Sequence, residues 1–243
     1  MALSRLEFWD QFFEQRPTPS DPSARSEALE WYISIEEAHR EVLRRLDALP
    51  RDRTEILHLG CGSSELGVRL ATQDRFLRVT DADFSEVVVN QMSARFPEHR
   101  FLTMDARALP LPDLSLDVVI CKGMFDSITA DHTQRSENAA AVVREISRTL
   151  RPGGVYLLFS TFAPDDGDKD MLSLLRHPNL DVSVHEIDGP PFEIPMQHCS
   201  FVYHVRKRSH TTEPEPKPPP TQMPRPQLTR QIWGGDLARG AAS

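Results

Sequence analysis

Between residues 55 and 160, five short apolar runs alternate with stretches of helical periodicity, and this alternation leaves few folds open. The runs cover 55–59, 76–80, 100–103, 116–121 and 155–160, with helical patterns at 65–71, 85–96 and 138–150. Strand, helix, strand in succession predicts βαβ units, whose crossovers put helices on both faces of a parallel sheet. Two later runs, around 182–187 and 200–206, have only a Pro-rich loop between them, which suits an antiparallel pair at the sheet edge. The expected fold is α/β, a doubly wound and mostly parallel sheet of about seven strands. It is Rossmann-like, with an antiparallel C-terminal hairpin and an N-terminal helical extension.

The flanks differ from this middle. Leu6, Trp9, Phe12 and Phe13 form an apolar stripe at helical spacing, followed by a loop over 16–25 that holds Pro17, Pro19 and Pro22. A second helix is expected from about Ser34 to Leu49, with Ala38, Val42, Leu46 and Leu49 on one face and Pro50 at its end. After residue 208 prolines dominate and large apolar side chains become scarce, so 209–243 is expected to be a disordered tail of polyproline II character. That tail could be a ligand for an SH3-like module or a plain solvated extension. The expected division is 1–50 as a helical cover, 51–208 as the main domain and 209–243 as the tail.

Charge narrows the partners. The chain has 36 acidic against 28 basic side chains, a formal net of −8. The tail's own balance is +1, so residues 1–208 carry about −9. An acidic surface is poor for non-specific nucleic-acid binding and better matched to a basic protein or a cationic ligand. No run of eighteen apolar residues offers a membrane span, and the first ten residues, with Glu7 and Asp10, do not read as a signal peptide. Cys61, Cys121 and Cys199 are far apart and odd in number, which suggests reduced thiols in a cytoplasmic protein and no zinc site. The nine histidines show no ligand spacing, so no metal is expected.

In open parallel sheets, ligands bind beyond the carboxyl ends of the strands. The first run ends in Gly60-Cys61-Gly62, where glycines let the chain turn tightly and approach a ligand; alone, this is equally a tight strand–helix turn. Glu65 stands where a dinucleotide fingerprint has its third glycine, and a carboxylate at a helix start should repel a pyrophosphate. Asp83 lies 21 residues after Gly62, the spacing at which an acidic residue accepts hydrogen bonds from both hydroxyls of a ribose. Asp81 competes for that role; Asp83 is preferred because Ser85 offers a helix N-cap just beyond it. Asp105, after the third run, could accept from the exocyclic amine of an adenine. Gly-x-Gly, Asp and Asp at successive strand ends describe an adenosine site without phosphate. S-adenosyl-L-methionine fits it better than NAD.

The chain resembles the seven-strand, class I methyltransferases, and within them the protein-lysine methyltransferases that act on translation elongation factor 1-alpha. The stretches that carry the resemblance include Glu7-Phe8-Trp9-Asp10-Gln11-Phe12-Phe13, Glu30-Trp31-Tyr32, Leu59-Gly60-Cys61-Gly62-Ser63-Ser64-Glu65-Leu66 and Asp83-Phe84-Ser85. Met104-Asp105-Ala106, Cys121-Lys122-Gly123 and Leu150-Arg151-Pro152-Gly153-Gly154 continue it. The resemblance implies that Trp9 and Phe13 cover the cofactor and that Trp31 adds a second aromatic wall, an environment that attracts a sulfonium. The same rings could instead simply pack the front helices onto the sheet. It also implies that Gly60 meets the methionine part, Asp83 with Phe84 the ribose, and Asp105 with Ala106 the adenine. Lys122 would line the pocket, and Asp126 would keep a carboxylate at its mouth as a candidate general base.

Two residues depart from that family. Cys121 stands where members carry an acidic residue, and Met124 where they carry Thr. An acidic group at position 121 could orient an incoming amine. Phe13 also lacks the hydroxyl of the Tyr that some members carry. The expected reaction is methyl transfer to a protein lysine, on elongation factor 1-alpha or a similar basic protein. A small-molecule methyltransferase and an inactive cofactor-binding scaffold are the alternatives.

Overall fold

The computed structural model describes residues 2–16, 30–165, 170–187 and 201–209. The tail from 210, Cys199, most of the 16–25 loop and the Pro-rich connection after 187 lie outside the described residues.

Seven strands form one sheet in the order β3-β2-β1-β4-β5-β7-β6. They are β1 (Glu55–Leu59), β2 (Arg78–Asp83), β3 (Arg100–Thr103), β4 (Leu116–Lys122), β5 (Leu150–Ser160), β6 (Leu180–Glu186) and β7 (Phe201–Lys207). The first five pair in parallel, and β7 runs antiparallel between β5 and β6. From β1 the chain moves outward through β2 and β3, then crosses back to β4 on the other side of β1. The connections therefore diverge above β1 and β4, opening a crevice there.

The helices follow from the apolar periods. On one face, α2 (Ile35–Leu46) and α3 (Leu66–Thr72) press Ala38, Val42, Leu46, Leu66 and Leu70 onto Ile56, Val118, Ile120, Leu157 and Phe159. On the other, α6 (Arg135–Thr149) packs Val142, Val143 and Ile146 against Leu57, Val119, Tyr156 and Leu158. The α2 start is a capping box: Ser34 Oγ accepts from the Glu37 N–H at 3.2 Å, and the Glu37 carboxylate accepts from the Ser34 N–H at 3.2 Å. In front, α1 (Leu6–Glu14) lies on α4 (Glu86–Arg95), with Phe13 packed in a cluster that holds Val88, Val89 and Met92.

Two strand boundaries differ from the sequence expectation. The second strand runs on to Asp83 instead of stopping at residue 80, because Asp81 is a core residue with polar partners, and a search for apolar runs breaks at it. The fifth strand begins at Leu150 instead of residue 155 and takes in the Pro152-Gly153-Gly154 segment. The register shifts there, between the Leu116–Leu150 and Val118–Val155 pairs. Two short helices, α5 (Met124–Ile128) and α7 (Met171–Leu174), had no periodic signal to announce them.

Candidate functional site

A cavity of about 380 Å³ occupies the crevice above β1 and β4, within the range of small-ligand sites. It is floored by the strand ends and roofed by α1 and the segment that leads into α2. The residues expected from the sequence to hold or act on a ligand line it: Gly60 and Gly62 after β1, Asp83 and Phe84 at the end of β2, and Asp105 and Ala106 after β3. Lys122 ends β4, Asp126 sits in α5, Trp9 and Phe13 come from α1, and Trp31 precedes α2.

The glycine loop is held close by its neighbour. Gly60 has φ +71°, and a Cβ there would sit 2.2 Å from the Met124 Cβ. The turn after β1 and the start of α5 thus meet over backbone alone. Met124 is the departing residue that faces the cavity. Cys121 is not: it is fully buried beside Phe125 and Tyr156 in the core and does not line the cavity. Burial pushes its thiol up to about 12. An acidic group at position 121 would point into that core and not toward an incoming amine.

The two competing aspartates separate cleanly. Asp81 is fully buried, its carboxylate bonded to His58 Nδ1 at 2.5 Å and to His99 Nε2, and it is absent from the cavity wall. Asp83, two residues on, reaches the cavity. One of its oxygens accepts from the Gly62 N–H at 2.9 Å and the other from the Ser85 N–H at 3.0 Å. Each oxygen keeps acceptor capacity for a ligand hydroxyl. Burial raises the Asp83 pKa, and its backbone donors offset part of that rise. Ser85 occupies the N-cap position of α4, but its hydroxyl donates to Asp10 Oδ1 at 2.6 Å and does not cap the helix. With the 3.1 Å bond from Gln91 Nε2 to the Phe13 carbonyl, it docks α1 over the site.

At the third strand end, Asp105 is already engaged. Arg107 donates to it through Nε at 2.9 Å and Nη2 at 2.7 Å, which holds its pKa low against the effect of partial burial. Glu65 does not line the cavity. It forms a 2.8 Å ion pair with the buried Arg95, so the repulsion of phosphate expected from it does not arise inside the site. A different feature disfavours phosphate: three cations along the wall are each engaged by the chain itself. Arg107 holds Asp105, Lys122 Nζ pairs with Glu30 at 2.8 Å, and Arg135 Nε donates to the Thr129 carbonyl at 2.8 Å.

The roof is aromatic. Trp9 meets Phe13 and Trp31 at centroid separations of 5.9 and 6.1 Å, and its indole N–H donates to the Leu3 carbonyl at 2.8 Å. Lys122 is buried and is no surface lysine; besides Glu30 it donates to the Trp31 carbonyl at 3.3 Å, tying the roof segment to the end of β4.

The next residue, Tyr32, was legible only as part of a motif, with no role assigned. It adopts φ +72°, a region that disfavours residues with a Cβ. Its ring passes over Gly123, itself at φ +85°, where a Cβ would lie 3.3 Å from Tyr32 Cε2. Its hydroxyl donates to Asp126. That carboxylate also accepts from Ser160 Oγ at 2.7 Å and the Thr161 N–H at 3.1 Å. Burial still pushes Asp126 up to about 6.

Residues 57–158 match the family model described as a methyltransferase domain. The likeness to curated relatives reaches beyond that stretch. It is 31% identical over 160 residues to the eEF1A lysine and N-terminal methyltransferase of Homo sapiens, covering 64% of this chain and 21% of that protein. It is 34% identical over 170 residues to the EEF1A lysine methyltransferase 4 of Mus musculus, covering 66% of this chain and 62% of the relative. The chain thus matches about a fifth of the first relative's length and under two thirds of the second's. Among solved structures, a SAM-dependent methyltransferase from Methanosarcina mazei superposes with a TM-score of 0.52 at 19% identity, over 69% of this chain and 98% of that one. The [4+2]-cyclase SpnF superposes at 0.58 and 15% identity, over 84% and 95%. The shared architecture is that of the seven-strand methyltransferases, and the cyclase shows that architecture alone fixes no reaction.

Proposed function

We propose that the protein binds S-adenosyl-L-methionine in this cavity and transfers its methyl group to a lysine of a protein, elongation factor 1-alpha or a similarly basic one. The observation that carries the cofactor reading is Asp83: a buried carboxylate oriented by two backbone N–H groups, with spare acceptor capacity facing an aromatic-roofed cavity. A ribose diol supplies two donors to such a group. Asp105 receives the adenine amine alongside Arg107, and Ala106 flanks the ring. Trp9, Phe13 and Trp31 face the sulfonium, whose charge is drawn to aromatic faces. Gly60 and Gly62 leave room for the methionine backbone, and Phe84 borders the ribose. The relatives' names support elongation factor 1-alpha as the substrate, and the net acidity of residues 1–208 supports a basic partner.

The cofactor brings an electrophilic methyl on a positive sulfur. The chain's residues bind it, exclude water and aim a nucleophile at it; effective molarity from positioning accounts for much of the acceleration in such displacements. Among the described residues no helix is long and apolar enough to cross a membrane. A cytoplasmic setting accords with the buried free thiols Cys61 and Cys121.

The test is incubation with methyl-labelled cofactor and purified, unmethylated elongation factor 1-alpha, then with a cell lysate. Label on a lysine ε-nitrogen of a protein is the expected result. Label confined to low-molecular-weight products overturns the protein-lysine reading and leaves a small-molecule methyltransferase. Cofactor binding with no turnover on any substrate leaves a scaffold.

A further inference from the structure

We infer that Arg107 reads the base of the cofactor together with Asp105: the carboxylate accepts from the exocyclic amine of adenine, and the guanidinium donates to a ring nitrogen that flanks that amine. The inference rests on the reading above, since it names what selects that reading's cofactor at its base.

The first argument is hydrogen-bond capacity. Asp105 Oδ1 accepts from the Arg107 backbone N–H and from Arg107 Nε, both at 2.9 Å, and Oδ2 accepts from Nη2 at 2.7 Å. Nε also leans on Oδ2, at the longer distance of 3.2 Å. An ionised carboxylate has about four acceptor sites, so one stays open, on Oδ2. The guanidinium is a fork of N–H donors, of which Asp105 takes one from Nε and one from Nη2. The second N–H of Nη2 and both on Nη1 remain. An open acceptor and an open donor thus stand on atoms 2.7 Å apart, on two residues that both line the cavity.

The second argument is charge. Arg107 holds the Asp105 pKa low, and Asp105 holds the Arg107 pKa up, so the two stay ionised and neutral as a pair. A phosphate would have to break that pair to use the cation. An uncharged edge with a donor beside an acceptor fits it intact. Adenine has such an edge: an amine flanked by ring nitrogens that only accept. Hypoxanthine and guanine carry a carbonyl oxygen in place of the amine, which would meet the Asp105 carboxylate acceptor to acceptor. A site built on hydrogen bonds rejects such a mismatch strongly.

The third argument is that the fold does not need the guanidinium. The turn after β3 is closed by the backbone, through the 3.0 Å bond from the Ala108 N–H to the Asp105 carbonyl. The bond from the Arg107 N–H to Oδ1 forms with any side chain at position 107 that leaves the backbone in place. The Arg107 and Asp105 side chains are 34% and 40% exposed, and ion pairs so open to water contribute little stability. What the guanidinium does is fix the plane of the carboxylate at the cavity wall.

The test titrates S-adenosylhomocysteine, its 1-deaza and 7-deaza analogues and S-inosylhomocysteine by calorimetry into the full chain and into Arg107→Met. Wild type is expected to bind S-adenosylhomocysteine, and S-inosylhomocysteine at least tenfold more weakly. Arg107→Met is expected to bind S-adenosylhomocysteine at least tenfold more weakly than wild type, the worth of a charge-assisted hydrogen bond, with an unchanged thermal midpoint. The deaza analogue that lacks the nitrogen met by Arg107 should lose at least tenfold in wild type but less than twofold in Arg107→Met, where the donor is already gone. Deaza losses that are the same in the two proteins overturn the inference, since Arg107 then only supports Asp105. So does an unchanged S-adenosylhomocysteine affinity in Arg107→Met. Wild type that binds S-adenosylhomocysteine and S-inosylhomocysteine alike sinks this inference alone. Wild type that binds neither sinks the cofactor reading, and this inference with it.

Discussion

Asp81 and Asp83 share one strand and one side of it, yet their surroundings assign them different work. Asp83 faces the cavity, so Asp83→Ala should weaken S-adenosylmethionine binding by roughly ten- to a hundred-fold, the worth of charge-assisted hydrogen bonds. Its unfolding midpoint should fall less than that of Asp81→Ala, because the Gly62 N–H it frees lies at the cavity. Asp81→Ala should cost more stability and less affinity. It leaves His58 and His99 without their buried acceptor, and breaking a buried charged network costs about 3–5 kcal/mol. Affinity measured on its folded fraction should stay near that of wild type. A larger affinity loss in Asp81→Ala than in Asp83→Ala contradicts the assignment. The place of Asp83 beside the glycine loop was legible in the sequence because a fixed spacing from that loop reports a local βαβ geometry. The contact between Tyr32 and Asp126 was not, because the two are 94 residues apart and it goes with a backbone angle that no pattern announces.

At the scale of elements, the roof is held by a few polar contacts at its ends. Lys122 and Glu30 are both largely buried, so Lys122→Met removes the cation and leaves a carboxylate without its partner. The segment carrying Trp31 and Tyr32 should then open locally while the sheet stays folded. The expected signs are a red shift of tryptophan emission, faster proteolysis before α2 and weaker cofactor binding, with the far-ultraviolet circular dichroism unchanged. Unaltered emission and affinity would show that Lys122 is not the anchor. The element order was readable from apolar runs because parallel strands buried on both faces are continuous in their hydrophobicity. The exceptions are physical. A core that includes the Asp81–His58–His99 set interrupts the run, and a Gly-Gly bulge lets β5 begin five residues earlier than its apolar part. The α1 stripe was also readable, but not how it is held: Ser85 donates its hydroxyl to Asp10, so what reads as a helix cap is a clasp for the roof.

The whole molecule combines a well-packed sheet with a cavity that keeps several carboxylates in poor solvent. Burial pushes Asp126 to about 6, against 3.8 for a free aspartate, so the folded chain holds this proton over a range where the unfolded chain has released it. Stability from this group is therefore fully present below about pH 4 and is lost as the pH rises through 6, by on the order of 3 kcal/mol at most. The urea midpoints of wild type and Asp126→Asn, compared from pH 4 to 8, should show wild type losing ground relative to the variant between pH 4 and 6 and none beyond about 7. A flat difference would place Asp126 in a better-solvated setting than the structure gives it. The chain's overall acidity was readable from composition, but not this uneven distribution of its cost. Which carboxylates are buried together depends on loops from four strand ends converging.

The central claim is that this cavity is an S-adenosylmethionine site organised around Asp83. Its most direct test is calorimetric titration of S-adenosylmethionine, and separately of NAD, into wild type and Asp83→Ala. The account predicts one S-adenosylmethionine bound per chain, binding at least tenfold weaker in Asp83→Ala, and no measurable heat from NAD. Equal S-adenosylmethionine affinity in the two proteins, or tighter binding of NAD, would contradict it.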